Sequence, residues 1–418
     1  MQEHRFPAAF EKIADGDFLE RLGFGGLGLH AVLTWQEPKT TPPTYLQVTC
    51  NFNRIGEYQC YKNQWVKINA LTEPGAGLAR SRPMAGFRQL LRNTPQGLYC
   101  PPGNFHIDPT QPVDHAVITH GHSDHARAGH GTVLATPETL AIMAARYGED
   151  FAGSSQAARY GEAVTRGSVS VTLVPAGHVL GSAQAVLRWK DRTAVISGDY
   201  KRRRDPTCPP FQPVPCDLFV SEATFGLPVF RFPPSEDETA KLLKSVTLFP
   251  ERSHLVGVYA LGKAQRLIRL LREAGYDKTL YIHGALASMN ALYEAHGVAL
   301  GALAHATDDA RNALPGEIVL APPSAIADKW ARRFADPIPA FASGWMMVRA
   351  RARQRHVELP LVLSDHADWD ELTLTVKELK PEELWITHGS EEALLRWALL
   401  NDISATALEI AGYEDEDE

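Results

Sequence analysis

The sequence predicts an α/β protein in which sheets are covered by helices. From about Gln96 onward, short apolar runs alternate with helical patterns. Between about Phe230 and Ser343 the alternation becomes a series of strand and helix pairs. Such pairs imply a parallel sheet, because parallel neighbours need a crossover that a helix supplies. After that stretch the chain returns to a strand, a helix and a last strand, so the middle reads as a second domain set into a first.

Taken in order, residues 1 to about 83 do not share this rhythm. They hold scattered aromatics (Trp35, Tyr45, Phe52, Tyr58, Trp65) and the turn-rich EPKTTPP, which fits a small β-rich unit or an extension that packs on nothing. Met84 opens the patterned region. VDHAVIT at 113–119 reads as a buried strand, and TPETLAIMAARYG as a helix with Thr136 as N-cap, Pro137 in the first turn and Gly148 as its stop. Strands follow at 168–174, 183–189, 193–197 and 217–221. The middle stretch pairs HLVGVYA with KAQRLIRLLREAG, TLYIHG with SMNALYEAHG, and EIVLAPP with AIADKWARRFA. LPLVLS reads as the strand that returns to the first domain, followed by a helix over 369–379, the strand ELWITHG, a terminal helix and a solvated acidic tail, EDEDE.

At 418 residues, 44% hydrophobic and 22% charged, the chain is neither disordered nor fibrous and has room for two or more packed units. Its five cysteines are odd in number, widely spread and without a CxxC pair, so neither a disulfide framework nor a thiolate zinc site is suggested. A net charge of -7 argues against coating nucleic acid through bulk charge, so a polyanion would have to meet local basic patches. The N-terminus has no basic start followed by an apolar run, and no uncharged stretch of about 18 apolar residues occurs, so the expectation is a cytoplasmic protein with no membrane partner.

The strongest chemical signal is His120-Gly-His122-Ser-Asp124-His125, placed directly after a predicted strand. Imidazole nitrogen and carboxylate oxygen suit Zn²⁺ or Mn²⁺, and the lack of thiolates points to a catalytic site rather than a closed structural one. His178 in VPAGHVLGS, Asp199 in VISGDYK and His388 in ELWITHGS each follow a strand end. Alone, each reads equally well as a core or loop residue; with the first cluster they complete two metal sites. Two basic runs stand out: Lys201, Arg202, Arg203 and Arg204, and Arg349, Arg351, Arg353 and Arg355 with period two. On a strand the second spacing would put four guanidinium groups on one face, as a strand-binding groove requires, although either run also reads as a solvated face. Ala260-Leu261-Gly262-Lys263 ends a strand and opens a helix, where backbone N–H groups and Lys263 can meet a phosphate.

The succession HxHxDH, a His in a Gly-rich turn, SGD and a late THG resembles the metallo-β-lactamase superfamily. SEATFG around Glu222 and LSDHADW around His366 resemble the acidic and histidine motifs of the β-CASP nucleases. QGLYCPPGNFHIDP, THGHSDHARAGH, GDYKRRRDPTCPPF and SGWMMVRARARQRH resemble the bacterial ligase-associated DNA exonuclease family, over about residues 85 to 412. The resemblance implies a four-layer αββα metallo-β-lactamase sandwich with an inserted β-CASP-like α/β domain. It divides the chain into an N-terminal extension of unknown role (1–84), the first part of the core (85–229), the insert (230–345), the second part of the core (346–412) and the acidic tail (413–418).

It also implies the site. His120, His122 and His178 would hold one metal, Asp124, His125 and His388 the other, with Asp199 bridging and Asp108 behind them orienting a ligand. Two divalent cations, Zn²⁺ or else Mn²⁺, would activate a hydroxide for in-line attack on a phosphodiester. Asp124, His366 and Glu222 carry the catalytic roles, His366 serving the leaving oxygen with support from Glu222; SDHADW also reads as a helix N-terminus capped by Ser364 or Asp365. Lys263, Arg349, Arg351 and Arg353 would bind substrate. Ala223 and Lys263 depart from the commoner Ser and Arg of relatives, and neither departure removes a ligand. The implied activity is a DNA exonuclease in a repair setting, acting on single-stranded or end-containing DNA and linked in function to a ligase. The alternatives are an RNA-processing nuclease of the ribonuclease J or RNA 3′-end endonuclease type, and a non-catalytic nucleic-acid-binding scaffold, against which the intact ligand set argues.

Overall fold

The computed structural model describes residues 57–61, 64–68, 87–306 and 314–408, and the acidic tail lies outside them. The chain divides into two units, Met1–Arg80 and Ser81–Glu418. In the first, β1 (Glu57–Tyr61) and β2 (Gln64–Ile68) form an antiparallel hairpin.

The second unit holds three sheets. One contains β3 (Arg92–Thr94), β4 (Gly97–Cys100), β5 (Phe105–Ile107), β6 (His115–Val117), β7 (His130–Ala135) and β8 (Ala152–Ala157) in sequence order, antiparallel as far as β5 and parallel beyond it. Another contains β9 (Ala163–Arg166), β10 (Val169–Pro175), β11 (Ala183–Trp189), β12 (Arg192–Ile196) and β13 (Leu218–Ala223), and continues into β20 (Glu383–Gly389) and β21 (Ala405–Ala407). These two sheets face each other. On β13, Leu218 and Val220 enter the core between them with Leu98, Ile107, Val117 and Leu134, while Phe219 points to the other side. This is the period-two alternation of a strand buried on both faces.

Helices cover the outer faces. Helix α1 (Pro137–Tyr147) presents Met143 to Ala116, Ile118 and Val133, and it begins as read, with the Thr136 hydroxyl accepting from Thr139 N–H at 3.2 Å. On the far side, α7 (Trp369–Leu379) and α8 (Glu391–Leu400) pack Leu372, Val376, Leu394 and Ala398 against Val186, Phe219 and Leu384. The result is the four-layer αββα order implied by the resemblance.

The third sheet is wholly parallel, in the order β16 (Leu303–His305), β15 (Leu280–Ile282), β17 (Ile318–Ala321), β14 (His254–Gly257), β18 (Ile338–Ala342) and β19 (Leu359–Leu361). All six strands fall in the chain between β13 and β20, which are neighbours in the sandwich. Helices α2 (Ser235–Leu248), α3 (Lys263–Glu273) and α4 (Ala287–Ala295) cover one face; α5 (Pro323–Ala327) and a 3₁₀ turn at Lys329–Arg333 cover the other. Helix α3 buries Ala264, Leu267, Ile268 and Leu271, the i, i+3, i+4, i+7 stripe of an amphipathic helix.

Two expectations are corrected. LPLVLS does not return to the sandwich: β19 pairs in parallel with β18, so the third sheet runs past the boundary expected at 345. The arginine run is not a strand either, because Arg349–Gln354 form a short helix, α6. Arginine and alanine are strong helix formers, and local propensity outweighs the period-two pattern there. Helix α2 and the short strands β3 to β5, β7 to β9, β16, β18 and β21 escaped the sequence reading. Among the described residues no helix is long and apolar enough to cross a membrane.

Candidate metal centre

Strand β10 runs antiparallel to β11, as does β12, so β10, β12, β13 and β20 all point the same way. Their carboxyl ends deliver His178, Asp199, Glu222 and His388 to one edge of the sandwich, and the loop after β6 brings His120, His122, Asp124 and His125 to the same place. His388 arrives by a local device. Glu222 is opposite Thr387 and Ala223 opposite Gly389, so His388 is the extra residue of a bulge between β13 and β20, with φ at 61°. A bulge re-aims a side chain, and its left-handed backbone is a cost that functional positions bear.

His120, His122, His178 and Asp199 are buried, and one ligand atom from each lies within 4.8 Å of the others, a grouping that can hold a metal ion. Asp199 Oδ2 stands 3.4 Å from His120 Nε2, 3.5 Å from His125 Nε2 and 3.7 Å from His178 Nε2. His125 Nε2 is also 3.4 Å from Asp124 Oδ2, and its ring stacks on that of His388 at 5.1 Å between centroids. Both expected ligand sets therefore converge on Asp199.

The groups behind the rings fix their tautomers. Asp108, itself at φ 43°, accepts from Thr119 N–H at 2.7 Å, from the Thr119 hydroxyl at 2.6 Å and from His125 Nδ1 at 2.9 Å. Because that hydroxyl donates to Asp108, it accepts from His120 Nδ1 at 3.0 Å. His178 Nδ1 donates to the Asp365 carbonyl at 2.9 Å. In His120 and His178 the hydrogen bond leaves Nε2 free of a proton and facing Asp199. His125 also turns Nε2 to Asp199, and although burial pulls it down, the carboxylates of Asp199, Asp124 and Asp108 raise its imidazole well above the ordinary range. Gly198 in the SGD motif makes this approach possible: its φ is 53°, and a Cβ there would lie 2.6 Å from the Thr119 hydroxyl oxygen.

The donor set fits a divalent cation. His178 Nε2 lies 2.9 Å from His122 Nδ1, so two ring nitrogens converge on one point, and buried His120 Nε2 and Asp124 Oδ1 have no hydrogen-bond partner. Burial holds His120 and His178 well below the ordinary histidine range and pushes His388 down to about 3, so these rings are neutral, the form in which imidazole binds a metal. Burial also raises Asp199 to about 8, against the pull of the neighbouring imidazoles, as expected of a carboxylate that needs more positive charge than the protein supplies.

Beside this cluster, His366 Nδ1 donates to Glu222 Oε2 at 3.0 Å and lies 3.8 Å from Asp199. Burial pulls His366 down, but the carboxylates of Glu222 and Asp199 outweigh it and raise the imidazole to about 10. Glu222 is fully engaged, accepting from Tyr200 N–H at 2.7 Å and from the Thr224 hydroxyl at 2.6 Å. Neither Ser364 nor Asp365 caps the helix that follows. Asp368 does, accepting from Glu371 N–H at 3.0 Å while Glu371 accepts from Asp368 N–H at 3.2 Å. The Ser364 hydroxyl instead accepts from His366 N–H.

The two basic runs differ. Lys201 pairs with Glu371, Arg202 with Glu378, Arg203 with Asp368 and Arg204 with Glu273, so the first run is a clamp of ion pairs reaching from buried Lys201 to exposed Arg204. Arg349 and Arg353, exposed on α6, make no ion pair among the described residues, and Arg351 lies 3.8 Å over the Trp345 ring. Trp345 meets Phe225 in a tilted contact at 4.9 Å, and Phe225 meets His366 at 6.1 Å, which places α6 beside the site. Lys263 is buried at the start of α3, its Nζ 3.3 Å from Asp365 Oδ1. Sequence reasoning missed Thr119, Thr224, Arg266 and the inward role of Lys201. Thr119, Thr224 and Lys201 stand inside the quoted motifs but are not of ligand type, and only the folded geometry shows what they do.

A four-layer αββα sandwich with a His/Asp cluster at the carboxyl ends of its strands defines a class. Residues 108–252 match the metallo-beta-lactamase superfamily model, so this part of the chain is a domain of that superfamily. It is similar to a protein from Opitutus terrae named a probable DNA ligase, 29% identical over 323 residues, covering 73% of this chain and 31% of that one. It also resembles the endoribonuclease ysh1 of Emericella nidulans, 36% identical over 115 residues, 26% of this chain and 13% of the relative. Ribonuclease TTHA0252 of Thermus thermophilus is 30% identical over 203 residues, 41% of this chain and 46% of the relative. The chain thus spans less than half the length of each of these curated relatives.

Proposed function

We propose that the protein is a metal-dependent phosphodiesterase that works as a DNA exonuclease. The observation that carries this reading is the His366–Glu222 pair, held 3.8 Å from Asp199 at the edge of the metal-ligand cluster. A protonated imidazole at that position would stand beside the groups that bind the attacked phosphate. His120, His122 and His178 would hold one cation and Asp124, His125 and His388 a second, with Asp199 available to both; zinc would suit this donor set best, and manganese would be compatible. Bound cations supply an activated attacking oxygen and neutralise charge on the phosphate.

The rest falls to the chain's own residues. Asp108 and the Asp365 carbonyl keep His125 and His178 in the ligand tautomer. As the water oxygen bonds to phosphorus its proton passes to the Asp124 carboxylate, the opposite P–O bond breaks, and His366 Nε2 gives its proton to the leaving alkoxide oxygen, while Glu222 stabilises the imidazolium through Nδ1. Arg349, Arg351 and Arg353 on α6 meet phosphates of the strand, and the inward-facing Lys263 contributes through Asp365.

DNA is favoured by the relative named a DNA ligase, whose similarity extends over 73% of the chain. The relatives named ribonucleases support RNA as the second reading. A repair setting, a link to a ligase and a cytoplasmic location belong to the same proposal, as does an inserted domain that ends beyond β19. Digestion of end-labelled single-stranded DNA and of an RNA of the same sequence, resolved by length, tests it. Progressive shortening of DNA is expected; preferential RNA cleavage would replace the DNA reading with the second one.

A further inference from the structure

The segment that carries His366 is held by its main chain from several sides. Three successive carbonyls, of Ser364, Asp365 and His366, accept from Arg266 Nη1, His178 Nδ1 and Lys201 Nζ respectively, the last two at 2.9 and 3.1 Å. Both cations are 2% exposed. Each is anchored at its other contacts: Lys201 to Glu371 Oε2 at 3.5 Å, and Arg266 to Asp205 Oδ2 at 3.6 Å and to the Ser235 hydroxyl at 3.0 Å. Glu371 in turn accepts from Arg202 N–H at 2.9 Å and closes the capping box with Asp368, so Lys201 belongs to a rigid corner. Arg266 comes from α3, on the third sheet, and Lys201 from the loop after β12 in the sandwich.

Burying two cations costs several kcal/mol each unless hydrogen bonds and partners compensate. Here part of that compensation is spent on carbonyls one residue apart on either side of Asp365. We infer that Lys201 and Arg266 are positioning residues for His366: one from each lobe, they fix the main chain so that the imidazole keeps its place between Glu222 and the leaving oxygen. This rests on the role given above to His366. A proton donor displaced by an ångström loses most of its effect, whereas groups that only bind substrate tolerate such a shift.

The test uses the full chain reconstituted with zinc, on a single-stranded DNA, whose leaving alkoxide needs a proton, and on thymidine 5′-p-nitrophenyl phosphate, whose leaving group does not. Lys201→Met and Arg266→Met should lose about 10- to 100-fold in kcat on DNA with KM unchanged, and less than about threefold on the nitrophenyl ester. His366→Asn should show the same selectivity at larger size, and Arg266→Lys should recover most of the DNA activity. Where a methionine variant gives no cooperative melt, Lys201→Gln takes its place with the same expectation. Selective loss in His366→Asn but equal losses on both esters in the Lys201 and Arg266 variants would overturn the inference and leave the His366 role standing. If His366→Asn itself is not selective, both fall.

Discussion

At the scale of single residues, the site depends on groups that never touch a substrate. Asp108 accepts three hydrogen bonds and through them sets the orientation of His125 directly and of His120 by way of Thr119. Asp108→Ala should weaken metal retention about 10- to 100-fold, measured by competition with a chelator, while the far-ultraviolet spectrum stays that of the parent. Glu371 gives a prediction in pH. Burial pushes its carboxyl up, but Lys201 and the N–H groups of Arg203 and Asp368 outweigh that and hold it below its ordinary value of 4.5. A carboxylate depressed in the folded state adds stability that is complete above the ordinary value and disappears as pH falls through the lower folded one. Glu371→Gln should therefore lower stability at neutral pH and flatten the acid side of a plot of unfolding free energy against pH; an unchanged acid side would show that the carboxylate carries no such linkage.

At the scale of elements, the turns matter more than the helices they start. Gly262 opens α3 with φ at 85°, and a Cβ there would lie 2.4 Å from Val179 Cγ1, beside the ligand His178. Gly262→Ala should cost about 1–3 kcal/mol in denaturant melts and loosen the turn that presents His178. Asp368 caps α7 and also receives Phe232 N–H at 2.8 Å and Arg203 at 2.9 Å, so Asp368→Ala should cost more than the roughly 1 kcal/mol of a lone cap. These are also the places where the sequence was hardest to read. The helix at 369–379 and the strand ELWITHG were legible because their apolar spacing is regular, and Thr136 and Gly148 bounded α1 by their own chemistry. The cap at Asp368 was misplaced because Ser364, Asp365 and Asp368 are all capping residue types, and only the backbone decides among them. The arginine row was misread because alternation of Arg and Ala has no apolar face to choose between strand and helix.

At the scale of the whole molecule, the His/Asp cluster lies on one edge of the sandwich. The His/Asp cluster was legible because its residue types are rare together and each follows a strand end. The clamp was not, since Lys201 to Arg204 look like a surface groove until their partners, Glu371, Glu378, Asp368 and Glu273, are placed by packing. Nor could the pattern show that LPLVLS belongs to the third sheet, because an apolar strand carries no mark of which parallel sheet it joins. The central claim is that the His/Asp cluster on the sandwich edge cuts nucleic acid with bound metal. The measurement that reaches it most directly compares metal-loaded parent protein with an Asp124→Ala, His125→Ala variant on end-labelled single-stranded DNA and RNA, with metal content determined on the same samples. Cleavage by the parent, with both cleavage and about half of the bound metal lost in the variant, is the predicted result. A parent that binds metal and cuts neither polymer, or a variant that cuts as well as the parent, would contradict it.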